Sequence, residues 1–166
     1  MILHRGQISL PLGFALLDCC LLHLGITLPD LKIGETVARV DRHVRARLKN
    51  EKVIWFVTSG RNGRPQAVPV WFHWDGDSLF VMSQDGVKVR NIRQNPYVQL
   101  HLNSDEAGDD VVRISGRATI LKSRPPGRAR AYLRKYRQDI RDLGGTVEGF
   151  EKRYRFPVRV TRLRYH

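Results

Sequence analysis

The chain has 166 residues, 42% of them hydrophobic and 8% aromatic, which suits one compact core. Its two cysteines, Cys19 and Cys20, are adjacent and have no third or fourth to complete a zinc set, and no internal repeat or low-complexity tract is present. The formal net charge is +13, and residues 111–166 alone carry 16 Lys and Arg against 4 Asp and Glu, so the partner to look for is an anion.

Residues 1–33 read as an apolar extension. Ile8 to Ile26 is nearly long enough to span a bilayer, but Asp18 lies in its middle and Pro11 and Gly13 interrupt its start. A charge at the centre of a spanning helix costs on the order of 3 kcal/mol. Arg5 supplies a small basic region, yet no clean small-x-small cleavage site follows. The expectation is a cytoplasmic protein with no membrane span, with membrane association through the apolar segment or a translation start set too far upstream as the alternatives. From Glu35 onward Val37, Val40, Val44 and Leu48 recur at helical spacing and predict an amphipathic helix, with Arg39, Arg42, Arg45 and Lys49 on its solvated face.

Strands follow. Val53 to Thr58 is β-branched and aromatic, Arg61-Asn62-Gly63-Arg64 is a hairpin turn, and Gln66 to Trp74 continues as a second strand. Asp75-Gly76-Asp77 turns the chain into a buried strand from Leu79 that ends in the hydroxyl of Ser83. A glycine turn at Gly86 then opens a helix carrying Lys88 and Arg90, which Asn95-Pro96 stops. A strand end and a helix N-terminus both present free N–H groups, so this segment predicts a phosphate seat completed by Ser83, Lys88 and Arg90. Tyr97 to Leu102 and Val111 to Leu121 alternate around an acidic loop, Asn103 to Asp110. Arg124-Pro125-Pro126-Gly127 leads into a helix over Arg128 to Leu143 that Gly144-Gly145 closes; Thr146 caps a short helix, and Pro157 to Leu163 is a last strand. Short strands at this spacing indicate a mainly β, antiparallel sheet or barrel with flanking helices, not a parallel βαβ array.

Other chemistry is excluded or set aside. His73 and His101 lack metal-ligand spacing, and no Gly-x-Ser-x-Gly elbow, Walker loop or HExxH appears. Nucleic-acid binding is the rival from another class, since cations interleave with aromatics at Tyr132 to Arg137 and at Tyr154-Arg155-Phe156. No helix-turn-helix, zinc finger or RNP motif accompanies them, so no specific nucleic-acid partner is expected. The arginines of the Arg128 to Arg141 stretch read instead as the solvated face of a helix whose Tyr132 and Ile140 pack inward.

Taken in order, Val68-Pro69-Val70-Trp71-Phe72-His73-Trp74-Asp75-Gly76, Ser83 with Lys88 and Arg90, Asn91-Ile92 before Asn95-Pro96, and Asp110-Val111-Val112 before Ile114-Ser115-Gly116 resemble the pyridoxamine 5'-phosphate oxidase-like FMN-binding split barrels. The resemblance covers residues 36–166 and is nearest to the deazaflavin branch that uses coenzyme F420. It implies a Greek-key split β-barrel over residues 34–166 and a homodimer with cofactor sites at the interface. The cofactor phosphate would lie against Ser83, Lys88 and Arg90 and the ring along Val70 and Trp71, with Pro69, Met82, Gln84 and Asn91 nearby. The strand Ala67 to Phe72 lacks the Arg and Lys that the FMN oxidases place there, which favours coenzyme F420 over FMN. The implied activity is hydride transfer between the deazaflavin and a small organic substrate. A cofactor-binding protein without catalysis, holding a flavin or haem, is the alternative within the same fold.

Overall fold

The computed structural model describes residues 40–166, so the extension over residues 1–33 and the opening turns of the helix expected from Glu35 lie outside the described residues. Asp41 starts α1 (Arg42–Asn50), its carboxylate accepting from the His43 N–H. Val44 and Leu48, one turn apart, face the core together with Val40.

β1 (Val53–Ser59) and β2 (Pro65–Trp71) form the first hairpin, with Val53 opposite Trp71 and Ser59 opposite Pro65. Its loop turns at Gly63, where φ is +71°. The single strand expected from Gln66 to Trp74 is in fact two: the ladder stops at Trp71, and after Phe72 the chain starts β3 (His73–Trp74), which pairs with β4 (Leu79–Ser83). Tyr136 causes the break. Its hydroxyl accepts from the Phe72 N–H at 2.9 Å and lies 2.7 Å from the Phe72 carbonyl, so a side chain satisfies both groups that a ladder would use.

After β4 come α2 (Val87–Gln94), β5 (Tyr97–His101) and β6 (Arg113–Ile120), the last shorter at both ends than the Val111 to Leu121 expected. α3 (Pro126–Asp142) begins two residues early because proline is well placed in a first helical turn. Gly144, at φ +72°, and the Gly145 N–H, which donates to the Ile140 carbonyl at 2.9 Å, close it. Thr146 caps α4 (Val147–Arg153) through the Gly149 N–H, and β7 (Phe156–Tyr165) ends the chain.

All ladders are antiparallel and the order is β2-β1-β5-β6-β7-β4-β3. Because β2 and β3 are consecutive in sequence yet sit at the two ends of this order, the sheet curls until its margins meet across Phe72, giving the mainly β split-barrel architecture with flanking helices. Its interior is filled by Ile54, Phe56, Leu79, Val81, Leu100 and Ile114. A second core lies under α3, where Phe80 and Met82 meet Tyr132, Tyr136 and Ile140. β4 is buried along its whole length because it separates the two: Leu79 and Val81 point one way, Phe80 and Met82 the other. At Gly116 β6 crosses β7 so closely that a Cβ would lie 2.7 Å from the Val160 Cγ1.

Candidate functional site

A cavity of about 730 Å³ opens where the end of β4, the start of α2, β2 and the α3–α4 turn converge, a size within the usual range for a cofactor or small ligand. Of the residues singled out in the sequence, Pro69, Val70, Trp71, Met82, Ser83, Gln84 and Lys88 line it. β2 supplies the first three as one wall. Met82 and Ser83 are buried at the end of β4, and the Ser83 hydroxyl donates to the Gln84 carbonyl at 2.9 Å. The exposed Gln84 accepts through Oε1 from the Arg153 Nε at 3.2 Å.

Lys88 is the electrostatic centre of the site. Its Nζ lies 5.8 Å from the centroid of the fully buried Phe56 ring, and among the described residues no carboxylate pairs with it. Burial pulls its pKa down from 10.5 to about 8. Gly86, at the N-cap of α2, gives the helix no side-chain cap, so the first-turn N–H groups remain available beside this ammonium. Asp85 takes only the Gly86 N–H, at 2.9 Å. A desolvated cation next to uncapped helical N–H groups is a site for an anion.

The structure does not bring Arg90 and Asn91 to this cavity. Lys88 and Arg90 are two residues apart on one helix, about 200° around its axis, so when Lys88 faces the cavity Arg90 faces away, and it is exposed. Asn91 instead donates from Nδ2 to the Thr58 Oγ1 at 3.1 Å and ties α2 to β1. The second cation at the cavity is Arg153, from the end of α4.

Sequence reasoning also missed the aromatic wall opposite β2. Trp71 is stacked parallel to Tyr136, with centroids 4.6 Å apart and planes 2° from parallel, and lies 5.6 Å from Phe150. Phe150 in turn stacks on Tyr154 at 4.4 Å. The i, i+4 spacing of Phe150 and Tyr154 was the available signal for this face of α4. Val87 and Leu143, 42% and 77% exposed, add apolar surface at the rim. The cavity thus offers an anion seat at one end and a long apolar and aromatic surface for a planar group beyond it.

The sequence profile described as pyridoxamine 5'-phosphate oxidase matches residues 40–166. No curated protein matches the sequence. Among solved structures, the chain is similar to a haem storage protein from Vibrio cholerae at 16% identity, covering 74% of this chain and 89% of that one with a TM-score of 0.56. It is also similar to an FAD-binding protein from Mesorhizobium loti, at 15% identity over 72% and 84% with a TM-score of 0.52. An F420 reductase is 20% identical over 74% and 92%, again with a TM-score of 0.52. At these identities the likeness is one of fold, and it is shared by proteins whose names mention three different redox groups, haem, FAD and F420. Among the described residues no helix is long and apolar enough to cross a membrane.

Proposed function

The chain belongs to the pyridoxamine 5'-phosphate oxidase family, and from that premise we propose that it is an oxidoreductase whose cavity holds a flavin-type cofactor, with coenzyme F420 the preferred one and FMN the alternative. The observation that carries this reading is Lys88: a half-buried ammonium with no carboxylate partner among the described residues, beside uncapped α2 N–H groups in a cavity with an apolar and aromatic wall. In this arrangement Lys88 and the α2 N-terminus hold the cofactor phosphate, with the Ser83 hydroxyl at hand. Pro69, Val70 and Trp71 set the ring plane, and Tyr136 and Phe150 keep the Trp71 indole from rotating. The bound deazaflavin or flavin supplies the hydride chemistry; the protein orients it and excludes water on the β2 side. Two features favour the deazaflavin. β2 carries no Arg or Lys, and the +13 chain is matched to a cofactor bearing a phosphodiester and a tail of glutamates.

A homodimer with the cofactor at its interface is part of the proposal. Of the four large hydrophobic side chains that are markedly exposed among the described residues, Val87 and Leu143 sit on the rim of this cavity, where a second copy would cover them. The test is a side-by-side fluorescence titration of the purified protein with coenzyme F420, FMN and FAD at low and moderate salt. Tightest binding of coenzyme F420, weakened by salt and by Lys88→Ala, is expected; saturation by FMN alone would transfer the assignment to FMN, and binding of none would overturn it. Turnover of the reduced cofactor with a panel of acceptors then separates an enzyme from a carrier.

A further inference from the structure

A second hollow, of about 910 Å³ and open to solvent, lies at the other end of α2. α2 gives Val87 and Lys88 to the cofactor cavity and Ile92 and Arg93 to this one; the stretch from the end of α4 to the start of β7 gives Arg153 and Tyr154 to the first and Arg155 and Phe156 to the second. Four cations line it: Arg93, Arg117, Lys122 and Arg155. Among the described residues none of them makes an ion pair. The cause is compositional, since α2, β5, β6 and β7 contain no Asp or Glu at all.

The cations are organised around aromatic rings. The guanidinium carbons of Arg93 and Arg155 stand 5.7 and 5.3 Å from the centroid of one ring, that of Phe156. The Arg117 guanidinium stands 5.8 Å from the Tyr97 ring; Tyr97 is 67% exposed, and its chain neighbour Pro96 and cross-strand partner Arg117 both line the hollow. Like charges gathered on aromatic faces with no carboxylate to neutralise them are suited to a polyanion that also carries flat, stackable groups. An acidic peptide would use the cations but not the open face of Tyr97, and a duplex keeps its base faces hidden.

We propose that this hollow is a binding site for single-stranded nucleic acid, in which Arg93, Arg117, Lys122 and Arg155 take backbone phosphates and Tyr97 stacks on an unpaired base. Sequence preference is not expected, because phosphate contacts and stacking on an aromatic face are available to every base. The site stands apart from the cofactor cavity and does not rest on the function proposed for it.

The experiment is fluorescence anisotropy of a labelled 12-nucleotide oligo(dT) with the full chain, followed across salt concentration. Four phosphate contacts predict a slope of log affinity on log salt of about −3. Arg117→Glu with Arg155→Glu should lower affinity at least tenfold, and Arg117→Gln with Arg155→Gln should lower it less, with both variants melting like the parent. Arg130→Glu with Arg134→Glu, exposed cations of α3 outside the hollow, should change affinity less than twofold. Tyr97→Ala should weaken oligo(dT) several-fold and leave heparin binding unchanged. The proposal is overturned if the α3 pair matters as much as the hollow pair, if Tyr97→Ala affects both ligands alike, or if no binding occurs at low salt. Loss of self-association in the Arg117→Glu, Arg155→Glu variant without any oligonucleotide binding would assign the hollow to contact between copies.

Discussion

Lys88→Met separates what the lysine does for binding from what it does to the fold. Methionine keeps a flexible stem over Phe56 and removes the ammonium. Burial lowers the Lys88 pKa from 10.5 to about 8, and at 1.36 kcal/mol per unit the folded protein bears on the order of 3 kcal/mol for keeping that charge at pH 7, roughly 2 kcal/mol after allowance for solvent at the cavity mouth. The variant without ligand should therefore melt higher than the parent at pH 7, by roughly 8 °C for a chain of this length. The gap has a definite pH dependence. Below pH 8 both folded and unfolded parent chains carry the proton and the penalty is complete. Between about pH 8 and 10.5 only the unfolded chain binds it, so parent stability rises with pH and the gap closes. Calorimetric melts at pH 7 and pH 10 measure this. Equal melting at pH 7 would refute the desolvation of Lys88, and a gap independent of pH would make it a matter of packing. With coenzyme F420 present the same substitution should weaken binding by about a hundredfold, as for loss of a charge-assisted contact.

Arg90→Ala should leave cofactor affinity within twofold in a fluorescence titration, whereas Arg153→Ala should weaken it several-fold, because only Arg153 lines the cavity. Tyr136→Phe should cost about 1–3 kcal/mol in denaturant unfolding: it strips a buried hydroxyl that serves the Phe72 N–H and the carbonyls of Phe72 and Lys52. Gly116→Ala should destabilise by about 1–3 kcal/mol in the same assay, since the added methyl meets Val160 at 2.7 Å and the Thr161 carbonyl at 3.0 Å.

Local chemistry made much of this fold legible. β-Branched and aromatic residues marked β1, alternation β5 and the greater part of β7, Asn62-Gly63 the first hairpin, Gly144-Gly145 the end of α3 and Thr146 the start of α4, each because the determining atoms lie within a few residues of one another. Phe72 was opaque because the group that breaks its strand, the Tyr136 hydroxyl, is 64 residues away. At the site, the strand end, the uncapped helix and Lys88 could be read directly. Arg90 lies off the cavity for a reason already in the sequence: two cations spaced i, i+2 on a helix point to different sides of it. The aromatic wall from α3 and α4 depends on how those helices fold back over β2 and β4, which no local pattern states.

The single ribbon that supplies both β2 and β3 also decides how safely this sheet can be left open. Rims of sheets recruit foreign strands, and growth from them leads to aggregates. Here one rim carries Pro65 and Pro69, each lacking the hydrogen a newcomer would need, and the other is only two residues long. Extending either rim would demand replacing a proline or lengthening a stub, so resistance to fibril-like association is written into the same stretch that lines the cavity.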